Sequence, residues 1–442
     1  MDASPPQSSS PDVAFAEPRA LTSAFNMLEG YKYRPLRPLP PFFSQVLAQT
    51  SFNTHHAMLS YLHTTESHKT PMNHCYPIDT TAQEQHGWQT NNIDNFTIKR
   101  KLGSGTYGSV FKAKHTATNR KVALKFVKYN QSGTKSGRKH NERIEREIKL
   151  QSLLHHPNIA RLYDVIQLPD QAGMVLEYVK GCDLLEYVSK YGRLREDEAC
   201  RIFRQIVSAV DYMHQNCIVH RDLKLGNIML DRSGQVRIID FGFADTFEWG
   251  KQHNTFCGSP SYASPEIVCS VKYTGPEIDI WSMGVVLYYM LTGLLPFDGK
   301  SRDVVYAKII SGVFPMPTFV SAEAQNLLLQ MLAVNSNVRI PMAGIIEHPW
   351  TNKYYTTPID NHMPQRPAVV FHPNEQTLQK MPIYRLNKAN VVSALASSDM
   401  ADTPIVSIYH LVDESRRRKA LKNARHSQQY DRVCSSLSLA SQ

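Results

Sequence analysis

Gly103-Ser-Gly105-Thr-Tyr-Gly108-Ser-Val110 sets three glycines between two stretches of strand-like alternation. Glycines in a hairpin leave backbone N–H groups unobstructed by Cβ atoms, which suits them to phosphate oxygens. A dinucleotide-binding loop of the same spacing opens a helix at its third glycine, and the following strand argues against that reading. A plain hairpin turn is the alternative. Further on, Val122-Ala-Leu-Lys125 places one lysine in an otherwise apolar strand. A lysine so placed needs an anion, and the next helical stretch offers Glu147 in Arg-Glu-Ile. Taken alone, Lys125 also reads as a strand end with an exposed amine. Two more clusters follow, His220-Arg-Asp222-Leu-Lys224-Leu-Gly-Asn227 and Asp240-Phe-Gly242, which bring carboxylates, an amine and a carboxamide into short loops.

The elements that must hold these groups are visible in the periodicity. Residues 96–102, 109–113 and 121–127 alternate as antiparallel strands. A helical pattern follows Asn141, with Ile144, Ile148 and Leu150 to Leu154 on one side, then short strands at 160–166 and 173–177. From Leu184 to Ile218 helical spacing dominates; brief strands at 227–230 and 236–239 precede helices that reach Trp350. The fold class is α+β, a small β-rich lobe joined to a larger helical lobe.

A glycine-rich hairpin, a strand lysine, His-Arg-Asp with a trailing asparagine, and Asp-Phe-Gly, in this order, form the protein-kinase signature. The chain therefore resembles the eukaryotic serine/threonine protein kinases over about residues 96–350. By that resemblance the substrates are ATP, with Mg²⁺ as cofactor, and protein hydroxyl groups. Lys125 would bind the phosphates and pair with Glu147; Asp240 and Asn227 would hold Mg²⁺ through hard oxygen atoms. Asp222 would accept or orient the substrate hydroxyl, and Lys224 would face the transferring phosphate. The nucleotide would lie under Leu102, Gly103, Gly105, Gly108 and Val110. Its adenine would sit between Val110 and Ala123 above and Met229 below, with Leu176 as gatekeeper, the backbone of Glu177 and Val179 as hinge, and Asp183 near the ribose. The alternative is a catalytically inactive scaffold of the same fold.

Within Thr255-Phe-Cys-Gly-Ser-Pro, phosphorylation of Thr255 by an upstream kinase would add about −1.5 to −2 charge beside Arg221. Glu266 is expected to pair with Arg339, and Asp279 to brace the catalytic loop. The Thr255 run, residues 287–298 and the closing His348-Pro-Trp350 are similar to the calmodulin-dependent kinase group and its AMP-activated protein kinase-related branch. One departure is Gly226, where relatives carry a glutamate that reads a basic residue upstream of the phosphoacceptor.

Composition frames the rest. The 442 residues are 42% apolar and 20% charged, enough for a sizeable core. Lys and Arg exceed Asp and Glu by 49 to 39, but residues 1–95 hold only 5 basic against 8 acidic groups, so no nucleic-acid-binding arm is expected there. The seven cysteines are scattered with no C-x-x-C pair, consistent with reduced thiols in cytoplasm or nucleus. No secretory leader is visible, and the longest apolar run, Met283–Phe297, is too short to span a bilayer. Residues 1–95 read as a disordered tail, in which the prolines of 32–41 suggest a polyproline II ligand for an SH3 or WW domain or a solvated linker. Residues 351–374 read as a linker. Residues 375–419 read as three short amphipathic stretches similar to the ubiquitin-associated-like module of that branch, or as a partly ordered tail, and 420–442 as disordered.

Overall fold

Eight-residue alternation builds the first layer. The computed structural model describes residues 92–105, 108–253 and 257–439. Its strands are β1 (Asn92–Ile93), β2 (Phe96–Gly105), β3 (Gly108–His115), β4 (Lys121–Lys128), β5 (Leu162–Gln167), β6 (Gln171–Glu177), β7 (Gly181–Asp183), β8 (Ile218–Val219), β9 (Ile228–Asp231), β10 (Val236–Ile238) and β11 (Asp245–Thr246). Strands β1–β6 form one sheet in the order β1-β2-β3-β4-β6-β5, all neighbours antiparallel. Along β4, Val122, Leu124 and Phe126 point into an apolar cluster with Phe96 and Val175. The period of two then turns Ala123 and Lys125 to the opposite face.

Helix α1 (Lys135–Leu153) packs on that opposite face, capped by Thr134, whose hydroxyl accepts from the Gly137 N–H. Ile144, Glu147, Leu150 and Leu153 recur at helical spacing and are buried, which aims Glu147 at the sheet. The larger lobe contains α2 (Leu184–Tyr191), α3 (Glu196–Gln215), α4 (Pro265–Val268), α5 (Pro276–Thr292), α6 (Arg302–Ser311), α7 (Ala322–Met331), α8 (Met342–Glu347) and α9 (Pro349–Asn352). Its core includes the fully buried Trp281, Trp350 and Phe203. Two small sheets, β10-β9-β7 and β11-β8, lie in this lobe and frame the loops between them. β7 and β9 approach so closely that a Cβ on Gly181 would sit 1.8 Å from the Leu230 carbonyl oxygen.

Beyond α9 the chain does not behave as the linker read from residues 351–374. Arg204, Ser208 and Asp211 lie on one face of α3 and are buried, so each needs a partner. The segment supplies them: Arg204 donates to the Thr357 carbonyl (2.6 Å), Ser208 to the Asp360 carbonyl, and Asn361 to Asp211 (2.6 Å). Three helices follow, α10 (Glu375–Leu378), α11 (Lys388–Leu395) and α12 (Pro404–Leu439), where the sequence shows its three amphipathic stretches. Leu378, Met381, Val391, Leu395, Ile408, Tyr409, Leu411 and Val412 are buried, whereas Val392 is 38% exposed. Helix α12 packs against both α11 and α1, and Arg366 binds Glu414 on it at 2.7 Å.

Two boundaries differ from the sequence reading. Asn92 and Ile93, read as part of the tail, belong to the fold: Ile93 is buried and pairs with Phe96. The region read as disordered from 420 is helical through Leu439: α12, fixed by its packed first turns, continues through Arg417–Asp413 and Arg418–Glu414 pairs and the good helix formers of residues 416–425. The remaining N-terminal tail with its proline stretch 32–41, Thr255 and residues 440–442 lie outside the described residues. Cys182, Cys200, Cys217, Cys257 and Cys269 are free thiols. Among the described residues no helix is long and apolar enough to cross a membrane.

Candidate active site

Strand register assembles the upper wall. Gly103 pairs with Val110, Val110 with Lys125, and Lys125 with Met174, which makes one row across β2, β3, β4 and β6. Ala123 sits beside Leu176 in a second row. The hairpin closes with Gly105 opposite Gly108, and a Cβ on Gly108 would fall 1.7 Å from the Phe126 carbonyl oxygen. Only glycine lets the loop lie this close to β4. Met229 lies on β9 opposite Asp183. Leu102 is 36% exposed, and Val110, Ala123, Leu176, Val179 and Met229 are half-buried, as apolar residues facing a cleft are.

Lys125 is the hinge of the electrostatics. Its Nζ lies 2.7 Å from Glu147 Oε1 and 2.7 Å from Asp240 Oδ1. Burial alone would lower the lysine pKa, but the two carboxylates outweigh it and push the value up to about 12, so the amine stays charged. Burial likewise works to raise the Asp240 carboxyl, and the Lys125 ammonium holds it below the ordinary carboxylate range. The Asp240 side chain remains 38% exposed.

The catalytic loop is pinned from below by a fully buried carboxylate. Asp279 Oδ1 accepts the Arg221 N–H at 2.8 Å; Oδ2 accepts the His220 N–H at 2.9 Å and lies 3.0 Å from His214 Nε2. Arg221 and Asp240 both have left-handed backbones, φ 63° and 62°. Such geometry persists only where surrounding bonds over-determine it. Asp222 follows directly. Its Oδ2 accepts from Lys224 Nζ (2.8 Å) and Asn227 Nδ2 (3.0 Å), and its Oδ1 from the Ser259 hydroxyl (3.1 Å). Lys224 Nζ also donates to Ser259 Oγ at 3.0 Å. The Ile239 N–H donates to the Asn227 carbonyl, which sets Asn227 next to Asp240.

Most residues singled out in the sequence therefore meet at one place. Lys125, Glu147 and Asp240 form one linked group; Asp222, Lys224 and Asn227 form another. Glu266 binds Arg339 through both oxygens (2.7 and 3.3 Å). The Asp183 side chain serves the fold, since its Oδ1 accepts the Glu186 N–H and caps α2. Glu177 likewise holds Arg237 Nε at 3.1 Å with its side chain. Sequence reasoning missed Ser259 as a partner of Asp222, although it lies inside the Thr255–Pro260 run. It also missed Arg143, Arg146 and Asp245, which join α1 to the loop after Asp240. Asn227 and Asp240, brought near each other by the Ile239–Asn227 backbone bond, carry hard oxygens, a donor set that fits Mg²⁺.

A profile described as "Protein kinase domain" matches residues 96–351, more than half of the chain. The chain is 37% identical over 335 residues to the SNF1-related protein kinase catalytic subunit alpha KIN12 of Arabidopsis thaliana, covering 75% of this chain and 66% of that protein. It is 37% identical to the serine/threonine protein kinase OSK3 of Oryza sativa subsp. indica (75% and 64%) and 36% identical to the probable serine/threonine-protein kinase MARK-C of Dictyostelium discoideum (75% and 42%). The matches thus span less than two thirds of the length of these relatives.

Proposed function

Since this chain belongs to the protein kinase family, we propose that it transfers the γ-phosphoryl group of ATP to serine and threonine hydroxyls of protein substrates. The observation that carries the reading is the Lys125 ammonium shared at 2.7 Å between Glu147 and Asp240. No group of the transfer machinery is missing beside it. Lys125 is held charged to meet phosphate oxygens, and its bond to Glu147 ties α1 to the sheet. Asp222 takes the proton of the incoming hydroxyl, positioned by Asn227 and Lys224; Lys224 also supplies positive charge at the phosphoryl oxygens. Asn227 and Asp240 would hold Mg²⁺, which when bound would neutralise charge on the phosphates. Because transfer needs no covalent intermediate, these placements are the catalysis.

Thr255 is the site an upstream kinase modifies; the proline stretch 32–41 is a ligand for an SH3 or WW domain; residues 375–419 act as a ubiquitin-associated-like module; the protein works in cytoplasm or nucleus. The test is transfer of labelled γ-phosphate from Mg·ATP to serine, threonine and tyrosine peptides by the full chain. Transfer to serine and threonine, lost at least about a hundredfold in Asp222→Asn and Lys125→Met, supports the reading. Nucleotide binding without transfer, from wild type bearing phosphate on Thr255, refutes it.

A further inference from the structure

The site is assembled around a charge that the transfer reaction itself does not use. Arg221 stands one residue before Asp222, and its guanidinium is only 5% exposed, so it requires a partner anion. It has one: Nη2 donates to Asp245 Oδ2 at 2.9 Å, while Nε donates to the Phe243 carbonyl at 2.8 Å. The same Asp245 oxygen accepts from Arg146 Nη1 at 3.0 Å. Arg146 lies on α1, one residue before Glu147. A single carboxylate therefore touches the neighbour of Asp222 in the large lobe and the neighbour of Glu147 in the small one.

Two further contacts make this junction specific. Asp245 belongs to β11 and pairs with Val219 of β8, the strand that delivers the chain to His220 and Arg221. Arg143, one helical turn before Glu147, donates to the Gly242 carbonyl and lies over the Phe243 ring at 3.6 Å. The left-handed Arg221 is thus gripped at its amide by Asp279 and at its guanidinium by Asp245. Beside these ties, Lys125, Glu147 and Asp240 stand in bonding contact.

We propose that Asp245 is a positioning residue for the reaction: its carboxylate, shared by Arg146 and Arg221, supplies negative charge that otherwise would have to come from a phosphate on Thr255. The inference rests on the kinase reading above. It follows that the unphosphorylated chain has substantial activity, and that phosphate on Thr255 adds to a site already formed. The carboxylate acts by holding α1 and the catalytic loop in register, without touching substrate.

The test uses the full chain after phosphatase treatment, with Thr255 occupancy followed by mass spectrometry. Wild type, Asp245→Asn, Asp245→Glu and Arg146→Met are compared for kcat, KM for ATP and melting temperature, before and after phosphorylation of Thr255. Loss of a charge-assisted bond at this junction is expected to lower kcat of unphosphorylated Asp245→Asn on the order of tenfold, with KM changed much less. Asp245→Glu should recover most of that loss, and phosphorylation should narrow the gap between Asp245→Asn and wild type. Arg146→Met, at a 43% exposed side chain, should lower kcat while leaving the melting temperature in place. The proposal is overturned by Asp245→Asn and Arg146→Met enzymes as active as wild type, by a loss that follows the melting temperature and is equal in both phosphorylation states, or by an unphosphorylated wild type that is inert until modified. A wild type inert in both states would instead remove the kinase reading.

Discussion

Asp279→Asn preserves shape and removes one thing, the ability to accept three bonds. In the native chain the two carboxylate oxygens take the Arg221 N–H, the His220 N–H and a contact with His214 Nε2, all inside the core. An asparagine must turn its NH₂ toward either Arg221 or the His220–His214 pair. His214 can adapt by changing tautomer, but a backbone N–H cannot. One buried amide is therefore orphaned whichever way the side chain is placed, which costs about 1–3 kcal/mol. The surviving bonds fall from charge-assisted to neutral, which adds roughly 1 kcal/mol. The sum, about 2–4 kcal/mol, corresponds to a melting temperature lower by roughly 3–6 °C for a chain of this size. Activity should fall further than stability, because Arg221 loses the grip on its left-handed backbone and Asp222 moves with it. A displacement near 1 Å costs on the order of a hundredfold in kcat. The pH dependence has a definite sign. Burial tends to raise the Asp279 carboxyl, but bonds and charge from His214 and His220 hold it below the ordinary value. Its contribution is therefore present above about pH 4 and is lost as pH falls through the depressed folded value. Scanning calorimetry of wild type and variant at pH 7 and in acid, beside steady-state kinetics, checks each step. A variant that melts within about 1 °C of wild type at pH 7 and keeps half of its kcat would show that Asp279 does not brace this loop.

Three other outcomes are expected. Glu266→Gln leaves the 1% exposed Arg339 guanidinium without its carboxylate and should destabilise by about 3–5 kcal/mol in urea unfolding; a change below about 1 kcal/mol would contradict the buried pair. Nothing lies within 4 Å of where a Gly226 Cβ would stand, so Gly226→Glu should fold normally and raise selectivity for peptides with arginine upstream of the acceptor, read as the kcat/KM ratio of arginine to alanine peptides. An unchanged ratio would exclude this position as a reader of that arginine. His156 is held at about 3 by burial, with the neighbouring His362 ring acting in the same direction. The unfolded chain takes up that proton near pH 6.5, so stability should decline as pH drops from about 6.5 toward 3, by at most about 1.4 kcal/mol per unit from this group. His156→Gln should flatten that slope in urea titrations; an equal slope would assign it elsewhere.

How much of this was legible in the sequence depended on how local the signal is. Lys125 and Glu147 announce themselves because a charge interrupts an apolar strand or stands on the apolar side of a helix. Asp222, Asn227 and Asp240 are legible as a spaced set. Asp245 is different: its partners Arg146 and Arg221 are 99 and 24 residues away, and an aspartate in a loop looks solvated until the fold closes on it. The segment after Trp350 escapes a sequence reading for a related reason. Its own composition is that of a linker, and the demand that orders it comes from the polar stripe Arg204, Ser208 and Asp211 on a helix whose other buried positions are mostly apolar. That stripe was readable, since buried polar groups on one helix face must find partners. Strands β7, β8 and β11 are two or three residues long and carry no periodicity to detect.

Helix α12 lies against α1, and Arg385, just before α11, approaches Glu142 on α1 at 3.9 Å. Seen from the ribosome, this closure joins an early element to one of the last. Asp413 emerges 260 residues after Leu153, which at about 5–20 residues per second is a wait of roughly 13–52 s. For that interval α1 is without the cover of α12, although the sheet beneath it is complete once Glu177 has been made. The small lobe is thus expected to pass through a half-finished state during synthesis, exposed to chaperones and proteases, and any truncation that removes α12 would leave the chain in it permanently.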